Sequence, residues 1–430
     1  MTRVLITGGT VLDQTGERRA DVAVDPASGR IADVAPALAP SDGDVVLDAT
    51  GCFVSPGFVD LHVHLREPGK EEAETIETGS RGAALGGFTA VVAMPNTDPA
   101  HDSVAVVEFV RAQGERAGLC EVLPSGCITV GRAGERLAPF GELAGAGVRL
   151  FTDDGNGVQD PLLMRRALEY AGPLGITLAQ HCETSALTKG AVMHEGACCS
   201  HLGLPGWPAL AEELMLFRDI ELVRLTGVGM HFLHLSTARS VELVRAAKAD
   251  GLPVTAEAAP HHFTLTDEML TGYDPLFKVN PPLRTRADID ALKAGLADGT
   301  IDAIATDHAP HAPHTKELPL DQAPPGMLGL ETALALAISE LDMPPAAVVA
   351  ALSWKPAAIA GVADRHGRPV AVGEPANLAL FDPSHEWTVS AAGMASKSRN
   401  TPYGGRTVRG KVRHTIFRGH PVVVDGHATR

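Results

Sequence analysis

The chain has 430 residues, of which 45% are hydrophobic and 20% charged, and its formal net charge is −16. This length exceeds that of one small domain and predicts a large domain with an accessory domain. The acidic balance argues against nucleic acid or an anionic membrane as a partner, and no apolar run reaches the roughly 18 residues that span a bilayer.

The two ends of the chain share a β-rich pattern. Short apolar runs broken by Gly, Asp and Pro occur before about residue 55, and the same pattern returns after about residue 368. We therefore predict a small β-sandwich domain built from residues 1–55 and 368–430. The first ten residues lack the layout of a signal peptide, so we expect a cytoplasmic protein.

The middle of the chain, residues 56–367, alternates strand-like apolar runs with helix-length stretches. The strand candidates begin near residues 52, 88, 121, 148, 176, 229, 253 and 301. Helix-length stretches include residues 72–85, 161–170, 210–225 and 241–250. Eight such units predict an α/β fold of the (β/α)8 TIM-barrel type. Residues 309–327 are rich in Pro and His and predict a long loop.

The segment GFVDLHVHLREPG, residues 57–69, contains the strongest local signal. Side chains alternate faces along a strand, so His62 and His64 point the same way and can chelate one metal ion. Arg66 continues that face just past the strand end, where its fork of donors suits a carboxylate. A pair of half-buried histidines is the simpler interpretation, but the neighbouring Arg and the Pro-Gly turn favour a metal site.

Metal-ligand side chains also follow four other strand candidates. They are Asp153 with Asp154, His181, His234 and Asp307. Functional groups of a barrel gather at the carboxyl ends of its strands, so we expect these side chains to converge. Four histidines and two carboxylates can hold two divalent ions if one carboxylate bridges them, and zinc, manganese or cobalt suits such ligands. Asp307 would then move a proton from hydroxide to a leaving nitrogen.

Other polar residues near strand ends are candidates for substrate binding. Asn96 follows the second strand, Asn280 follows the seventh, and His311 lies in the segment after the eighth. Each asparagine could equally be a turn residue beside a proline. We interpret His261 and His262 as supporting or packing residues, because the ligand set is complete without them.

These motifs together resemble the amidohydrolase superfamily and, within it, the class I dihydroorotases of bacteria. The matching blocks cover almost the whole chain and are PGFVDLHVHLREPG, AMPNT, FTDDG, QHCE, HLS, KVNPPLR, ATDHAPH and APPGMLGLET. The resemblance implies a (β/α)8 barrel with a small β domain formed by both ends. FTDDG has an aspartate where hydantoinases and allantoinases carry a carboxylated lysine, which favours the dihydroorotase branch.

The resemblance also implies the site residues. The metal ligands would be His62, His64 and Asp307 for the first ion, His181 and His234 for the second, and Asp154 as the bridge. Asp153 is the alternative bridge, Asp307 doubles as the catalytic base, and the expected cofactors are two divalent ions per subunit, with zinc as first choice. The implied substrate-binding residues are His64, Arg66, Asn96, Asn280, His311, Pro325 and Gly326. Family members often carry an aromatic residue where Pro325 stands.

The implied reaction is the reversible hydrolysis of (S)-dihydroorotate to N-carbamoyl-L-aspartate in pyrimidine biosynthesis. A metal-bridging hydroxide would attack the ring carbonyl, and Arg66 with His311 would form a cationic site for the substrate carboxylate.

The alternatives to this reaction are another cyclic amidase, such as a hydantoinase or allantoinase, an inactive scaffold for aspartate transcarbamoylase, and a metal-stabilised barrel without catalysis. A scaffold should have lost metal ligands, and structural zinc sites favour closed sets that often contain Cys. We expect a homodimer and leave association with aspartate transcarbamoylase open.

Overall fold

The computed structural model describes residues 3–430, so Met1 and Thr2 of the predicted N-terminal β segment lie outside the described residues. Strands and helices are both abundant, which confirms the mixed α/β class. The strands of the N-terminal part are β1 (Val4–Thr7), β2 (Thr10–Asp13), β3 (Gly16–Arg19), β4 (Asp21–Asp25), β5 (Arg30–Ala35), β6 (Val45–Asp48) and β7 (Phe53–Pro56).

The middle of the chain alternates strands with helices, as predicted. Its strands are β8 (Phe58–Val63), β9 (Phe88–Ala93), β10 (Glu121–Pro124), β11 (Leu150–Thr152), β12 (Thr177–Gln180), β13 (Met193–His194), β14 (Gly206–Trp207), β15 (Met230–Phe232), β16 (Val254–Ala258) and β17 (Ala303–Ile304). Its helices are α1 (Ile76–Leu85), α2 (Val104–Ala117), α3 (Phe140–Gly145), α4 (Pro161–Leu174), α5 (Ser185–Thr188), α6 (Ala197–Leu202), α7 (Leu210–Thr226), α8 (Ala238–Ala249), α9 (Arg286–Asp298), α10 (Pro313–Lys316), α11 (Ala333–Glu340), α12 (Pro345–Leu352) and α13 (Trp354–Ile359). Each of the eight predicted strands is present, and β13 and β14 form a small extra ladder.

Local capping explains where the helices differ from the predicted bounds. Helix α1 begins at Ile76 instead of residue 72, because Thr75 is its N-cap and accepts a hydrogen bond from the backbone N–H of Thr78. Helix α4 continues to Leu174 and ends at Gly175, which adopts a φ of 62°. Such left-handed backbone is readily adopted by glycine and ends a helix. Residues 309–327 are mostly irregular as predicted, but they include the short helix α10. Within residues 3–430, no helix is long and apolar enough to cross a lipid bilayer.

The eight predicted strands of the middle part are parallel and form two sheets. One sheet has the order β10-β9-β8, and the other has the order β11-β12-β15-β16-β17. Two single parallel bridges, Gly126 to Phe151 and Val63 to His308, connect the ends of one sheet to the ends of the other. All eight strands therefore present their carboxyl ends at the same edge.

Both faces of these parallel strands are buried, which explains their continuous apolar runs. Along β8, Val59 and Leu61 pack in a cluster with other strand residues such as Val92 and Leu150. Phe58 and Val63 belong to a larger cluster that includes residues of the helices. The strands thus lie between two apolar cores, and the few polar side chains inside them, such as Asp60 and Glu257, are fully buried.

Strands from both ends of the chain share one sheet. The C-terminal strands are β18 (Leu378–Thr388), β19 (Thr407–Phe417), β20 (His420–Val424) and β21 (His427–Ala428). They join N-terminal strands in the order β21-β20-β19-β18-β7-β2-β3, in which β18 pairs antiparallel with β7. A second sheet has the order β5-β4-β1-β6, and residues of both sheets, such as Ile6, Val24, Val54 and Leu380, pack in one core.

Candidate active site

The six predicted metal ligands lie at the carboxyl ends of the parallel strands. His62 lies in β8, and the others follow strand ends: His64 after β8, Asp154 after β11, His181 after β12, His234 after β15 and Asp307 after β17. Each of the six is at most 5% exposed. The parallel sheets therefore bring together residues that are up to 245 positions apart in the sequence.

The ligand atoms form two groups that share Asp154. One group is His62, His64 and Asp154, the other is Asp154, His181 and His234, and the atoms of each lie within 4.8 Å of one another. Oδ1 of Asp154 is 3.3 Å from Nε2 of His62 and 3.3 Å from Nδ1 of His181, while Oδ2 is 3.5 Å from Nε2 of His64. A carboxylate placed between two groups of imidazoles suits a bridge between two ions.

Asp153 points away from this centre. Its Oδ1 accepts hydrogen bonds from the backbone N–H groups of Ile128 and Thr129 at 2.9 and 3.0 Å, and the hydroxyl of Thr129 donates to Oδ2. These contacts fasten the end of β11 to the neighbouring loop. The geometry therefore favours Asp154 over Asp153 as a metal ligand.

The hydrogen bonds of His62 and His64 leave the Nε2 atom of each imidazole facing an aspartate oxygen. Nδ1 of His62 lies 3.0 Å from a carboxylate oxygen of Glu257, and Nδ1 of His64 lies 2.9 Å from Oδ1 of Asn96. Because these oxygens only accept, each Nδ1 donates and a neutral imidazole keeps its lone pair on Nε2. Nε2 of His64 then faces Oδ1 of Asp307 at 3.0 Å. Such a pair needs a cation between or beside its members.

Two buried atoms point to the same requirement. Among residues 3–430, Nε2 of His62 and Oδ1 of Asp154 are buried without a hydrogen-bond partner. Unpaired buried polar atoms are costly unless an ion or water satisfies them. The residues present therefore fit a divalent metal site.

The charges of the site oppose the effect of burial. Burial alone would raise the pKa of Asp154, but His62, His181 and His234 hold it well below its usual range. Burial would likewise raise the pKa of Asp307, yet His62 and His64 lower it. Burial lowers the pKa of His62, but the two aspartates raise it well above its usual value, so they favour a positive charge at Nε2, which a proton or a bound metal ion can supply. The aspartates are thus anionic and draw positive charge to the site.

A further carboxylate orients these imidazoles from outside the ligand groups. Glu257 in β16 is completely buried, and its two oxygens accept hydrogen bonds from His62 at 3.0 Å and from His231 at 2.9 Å. Burial would raise the pKa of Glu257, but the hydrogen bonds of His231 and His62 lower it to about 2. Glu183 similarly accepts from Nε2 of His181 at 3.0 Å. Partners of this kind fix the tautomer and orientation of metal-binding histidines.

The substrate-binding residues predicted from the sequence line one cavity beside the ligands. This cavity has a volume of about 230 Å³. Its walls include His64, Arg66, Asn96, Asn280, His311, Pro325 and Gly326, together with Asp154, His181, His234 and Asp307. Asn96 and Asn280 thus face the cavity in addition to standing beside turns. The neighbouring His261 and His262 are buried outside both ligand groups, and His262 bonds to the carbonyl of Pro281 at 2.9 Å.

Arg66 provides the positive charge of the cavity, and His311 does not. Burial lowers the pKa of Arg66 to about 10, which leaves the guanidinium charged at neutral pH. Burial and the charge of Arg66 lower the pKa of His311 to about 2, so its imidazole is neutral. Nε2 of His311 lies 2.8 Å from the carbonyl of Pro325 and therefore donates to it. The expectation that Arg66 and His311 form a joint cationic site is wrong in this respect.

Several site residues adopt a strained backbone. Arg66, His234 and Asp307 have φ angles of 64°, 26° and 47°. Side chains other than glycine rarely adopt positive φ, and such strain often occurs at functional sites, where the surrounding structure maintains it. Here it turns side chains at strand ends toward the common centre.

Comparison with known proteins identifies the family. A family model described as Dihydro-orotase-like matches residues 51–240. The chain is 48% identical to a dihydroorotase of Streptomyces coelicolor over 437 residues, which covers 100% of both chains. It is 50% identical to a dihydroorotase of Mycobacterium tuberculosis over 419 residues, which covers 95% of this chain and 96% of the relative. The chain belongs to the dihydroorotase family. It is therefore a cyclic amide hydrolase, and the family implies a divalent metal cofactor.

Solved structures of related enzymes share the fold of this dihydroorotase family member. The L-hydantoinase of Arthrobacter aurescens matches with a TM-score of 0.87 and 23% identity, over 100% of this chain and 98% of that one. The dihydropyrimidinase of Brevibacillus agri matches with a TM-score of 0.84 and 23% identity, over 100% and 96% of the two chains. At this identity the likeness concerns the fold alone.

The prediction from the sequence missed the residues that support the ligands. Glu257 stands in the apolar run PVTAEA, and a lone carboxylate inside a buried strand was an available signal. Asp60, in the same strand as His62, is fully buried and accepts from the backbone N–H groups of His62 and Thr306 at 3.0 Å. Burial raises the pKa of Asp60 to about 7. Glu183 offered no comparable signal, since it lies in a polar turn.

Proposed function

We propose that the chain catalyses the reversible hydrolysis of (S)-dihydroorotate to N-carbamoyl-L-aspartate, a reaction of pyrimidine biosynthesis. The main support is the position of Arg66, a buried cation, in the cavity that the predicted metal ligands also line. A cyclic amide substrate that carries a free carboxylate matches both features. Family membership supports the same reaction.

The proposed architecture is a closed (β/α)8 barrel with a β-sandwich domain. Support for closure comes from the single bridges that join the two parallel sheets at both ends. The TM-scores of the related hydantoinases are in agreement. We propose residues 56–367 as the barrel, and residues 1–55 with 368–430 as the second domain, because strands from both ends pair in one sheet.

The proposed metal centre holds two divalent ions, with zinc as first choice because imidazole and carboxylate ligands suit it. His62, His64 and Asp307 would hold the first ion and His181 with His234 the second, and Asp154 would bridge them. When bound, the ions would lower the pKa of water and polarise the ring carbonyl.

Asp307 is proposed as the proton carrier. Its carboxylate is anionic and lies at the wall of the cavity, 3.0 Å from Nε2 of His64. It can accept a proton from the attacking water and donate it to the ring nitrogen as the amide C–N bond breaks. In ring closure the same carboxylate takes the proton from the nitrogen.

The other cavity residues would bind and orient the substrate. The guanidinium of Arg66, which donates from Nε to the carbonyl of Pro310 at 3.0 Å, leaves further donors for a carboxylate. Asn96 would donate from its side-chain NH₂ group, and neutral His311, whose Nε2 already donates to Pro325, would accept at Nδ1 from an N–H of the substrate. Asn280 with the backbone of Pro325 and Gly326 would contact the ring. Two donors in a fixed fork match a planar carboxylate.

The alternative function is that of another cyclic amidase, such as a hydantoinase or allantoinase, which would act on a ring without the same carboxylate. The purified protein would be assayed with dihydroorotate, carbamoyl aspartate, hydantoin and allantoin, and its metal content measured. We expect turnover of the first two and about two metal ions per chain. Turnover of hydantoin or allantoin alone would refute the dihydroorotase reaction, and active protein with less than one ion per chain would refute the two-ion centre.

The proposed assembly is a homodimer that uses an apolar face of α7. Leu210, Leu214, Phe217 and Leu225 are 45–61% exposed, and their spacing places them on one side of the helix. Such an exposed apolar stripe favours association between chains.

Association with aspartate transcarbamoylase and a cytoplasmic location also stay predictions. The six free cysteines agree with a reducing compartment.

A further inference from the structure

A segment near the C-terminus packs behind the residues that form the wall of the substrate cavity. This wall segment, residues 394–401, lies between β18 and β19, outside the parallel strands. Its Asn400 is 3% exposed and bonds to both sides of the 309–327 loop. Nδ2 of Asn400 donates to the carbonyls of Ala309 and Gly326 at 2.9 and 3.1 Å, and Oδ1 accepts from the backbone N–H of His311 at 3.2 Å.

A side-chain amide suits this position because it donates two hydrogen bonds and accepts another at the same time. Ala309, His311 and Gly326, the three residues that it binds, all line the cavity. Asn400 therefore joins the start of the loop to its end. The backbone N–H of Leu328 also donates to the carbonyl of Asn400 at 3.1 Å, which holds the segment against the returning chain.

The cavity wall has little room for displacement at this point. A Cβ added at Gly326 would lie 2.7 Å from Cβ of Ala309 and 2.8 Å from Nε2 of His311. Gly326 also has a φ of 141°, and its N–H donates to the carbonyl of Lys278 at 2.8 Å. The N–H of Ala309 also donates to the carbonyl of Met327 at 2.7 Å, so loss of the Asn400 bonds would loosen the contact of Ala309, His311 and Gly326 without opening the loop.

The wall segment is itself fixed to the loop that follows β8. Glu74 is completely buried, and its carboxylate accepts from the hydroxyl of Ser396 and from the backbone N–H of Lys397, the latter at 3.0 Å. The hydroxyl of Ser398 donates to the carbonyl of Ala73 at 2.7 Å. The segment that contains Asn400 is therefore held by hydrogen bonds to Ala73 and Glu74, which lie a few residues after Arg66 in the chain.

We propose that Asn400 is a positioning residue for substrate binding: it holds His311 and Gly326 at the distance from Arg66 that the substrate carboxylate and ring require. This inference rests on the proposed function, because it assigns those residues to the substrate. Asn400 lines no part of the cavity and touches no reacting group, so its effect is exerted through the loop.

Asn377 provides a matched control. It is 6% exposed, its Nδ2 donates to the carbonyl of Arg365 at 2.9 Å, and its Oδ1 accepts from the N–H of Arg418 at 2.8 Å. It too joins two backbone segments through a buried amide, but it does not line the substrate cavity. Replacing either asparagine removes hydrogen bonds of the same kind, and only one replacement should affect the substrate.

The experiment compares Asn400→Ala, Asn400→Asp and Asn377→Ala with the wild type. Both alanine variants should lower the midpoint of thermal unfolding by similar amounts. Asn400→Ala should raise KM for dihydroorotate by about tenfold or more, since it removes three hydrogen bonds worth about a factor of five each, and the substrate has to restore part of that order when it binds. Metal content should not change. Asn400→Asp keeps the shape and one acceptor but faces two carbonyls with a carboxylate, so its KM should rise at least as much. Asn377→Ala should leave KM within about twofold.

A second readout does not depend on the substrate. Hydrogen exchange of the backbone amides of residues 309–327 should become faster in Asn400→Ala and Asn400→Asp, and should stay unchanged in Asn377→Ala. A wild-type protein that does not turn over dihydroorotate would refute the proposed function, whereas the exchange result would still decide the role of Asn400. An Asn400 variant with wild-type KM, or with wild-type exchange of the loop, would overturn the inference.

Discussion

Replacement of Glu257 by Gln tests how the buried carboxylate controls the metal centre. Glu257 accepts from Nδ1 of His62 at 3.0 Å and from Nε2 of His231 at 2.9 Å. A glutamine of the same shape offers one oxygen and one NH₂ group, so one imidazole would have to accept instead of donate. If His62 is that imidazole, its proton moves to Nε2 and the nitrogen that faces Asp154 can no longer bind a metal ion.

The hydrogen bonds of Glu257 indicate the size of this effect. They lower its pKa from 4.5 to about 2, which corresponds to roughly 3 kcal/mol in favour of the carboxylate. Part of this energy comes from the hydrogen bond of His62, which fixes the imidazole that faces Asp154. Substitution of such supporting partners costs about 10- to 100-fold in metal affinity. We therefore expect Glu257→Gln to bind its weaker ion at least tenfold less tightly.

Competition with a chelator of known affinity measures this change, with bound metal quantified after equilibration. Glu121→Gln is the control, because Glu121 accepts from Nε2 of His366 at 2.7 Å and lies outside both ligand groups. The control should retain metal like the wild type. If Glu257→Gln retains metal as tightly as Glu121→Gln, the orientation of His62 by Glu257 does not contribute to affinity, and the reasoning is refuted.

Three further changes test the carboxylate site, the acid stability and the assembly. Arg66→Met should lower kcat/KM for dihydroorotate by about 100-fold or more, because it removes a charge-assisted pair, with metal content retained; normal turnover would disprove the carboxylate assignment. Burial would raise the pKa of Glu121, but the hydrogen bonds from His366 and Arg365 outweigh it and lower the pKa to about 2. The ionised carboxylate therefore contributes at most about 3 kcal/mol to the free energy of unfolding. This contribution is complete above the ordinary pKa of 4.5 and is lost as pH falls toward 2. The free energy of unfolding of Glu121→Gln should therefore fall less between pH 4.5 and 2 than that of the wild type. An equal dependence of this free energy on pH in both proteins would contradict the prediction. Leu214→Glu with Phe217→Glu should convert a dimer to a monomer in light scattering, while the exposed Val372→Glu should not; an unchanged mass would exclude this face.

The sequence by itself determined the local features of this protein. Continuous apolar runs between helix-length stretches predicted the parallel strands, because strands buried on both faces are apolar throughout. The types of side chain directly after those runs predicted which residues meet, since parallel strands end at a common edge. His62, His64, His181 and His234 are brought together around Asp154 for this reason, and Asp307 lies beside His62 and His64. Their roles as ligands, and the domain boundaries, stay predictions.

Only the tertiary structure decided how these residues are held and charged. Asp153 and Asp154 are adjacent residues of the same type, so the sequence does not distinguish them. In the structure Asp153 bonds to Thr129, and Asp154 lies between the histidines. The pKa of His311 is lowered by burial and by the charge of Arg66, and the residues next to His311 in the sequence reveal neither effect.

Long-range hydrogen bonds carry the remaining information. Glu257 binds His62 across 195 positions, and Asn400 binds Ala309 across 91 positions. No periodicity or local motif encodes a contact of that length. Such contacts exist because the fold buries distant polar groups in the protein interior, where each needs a hydrogen-bond partner.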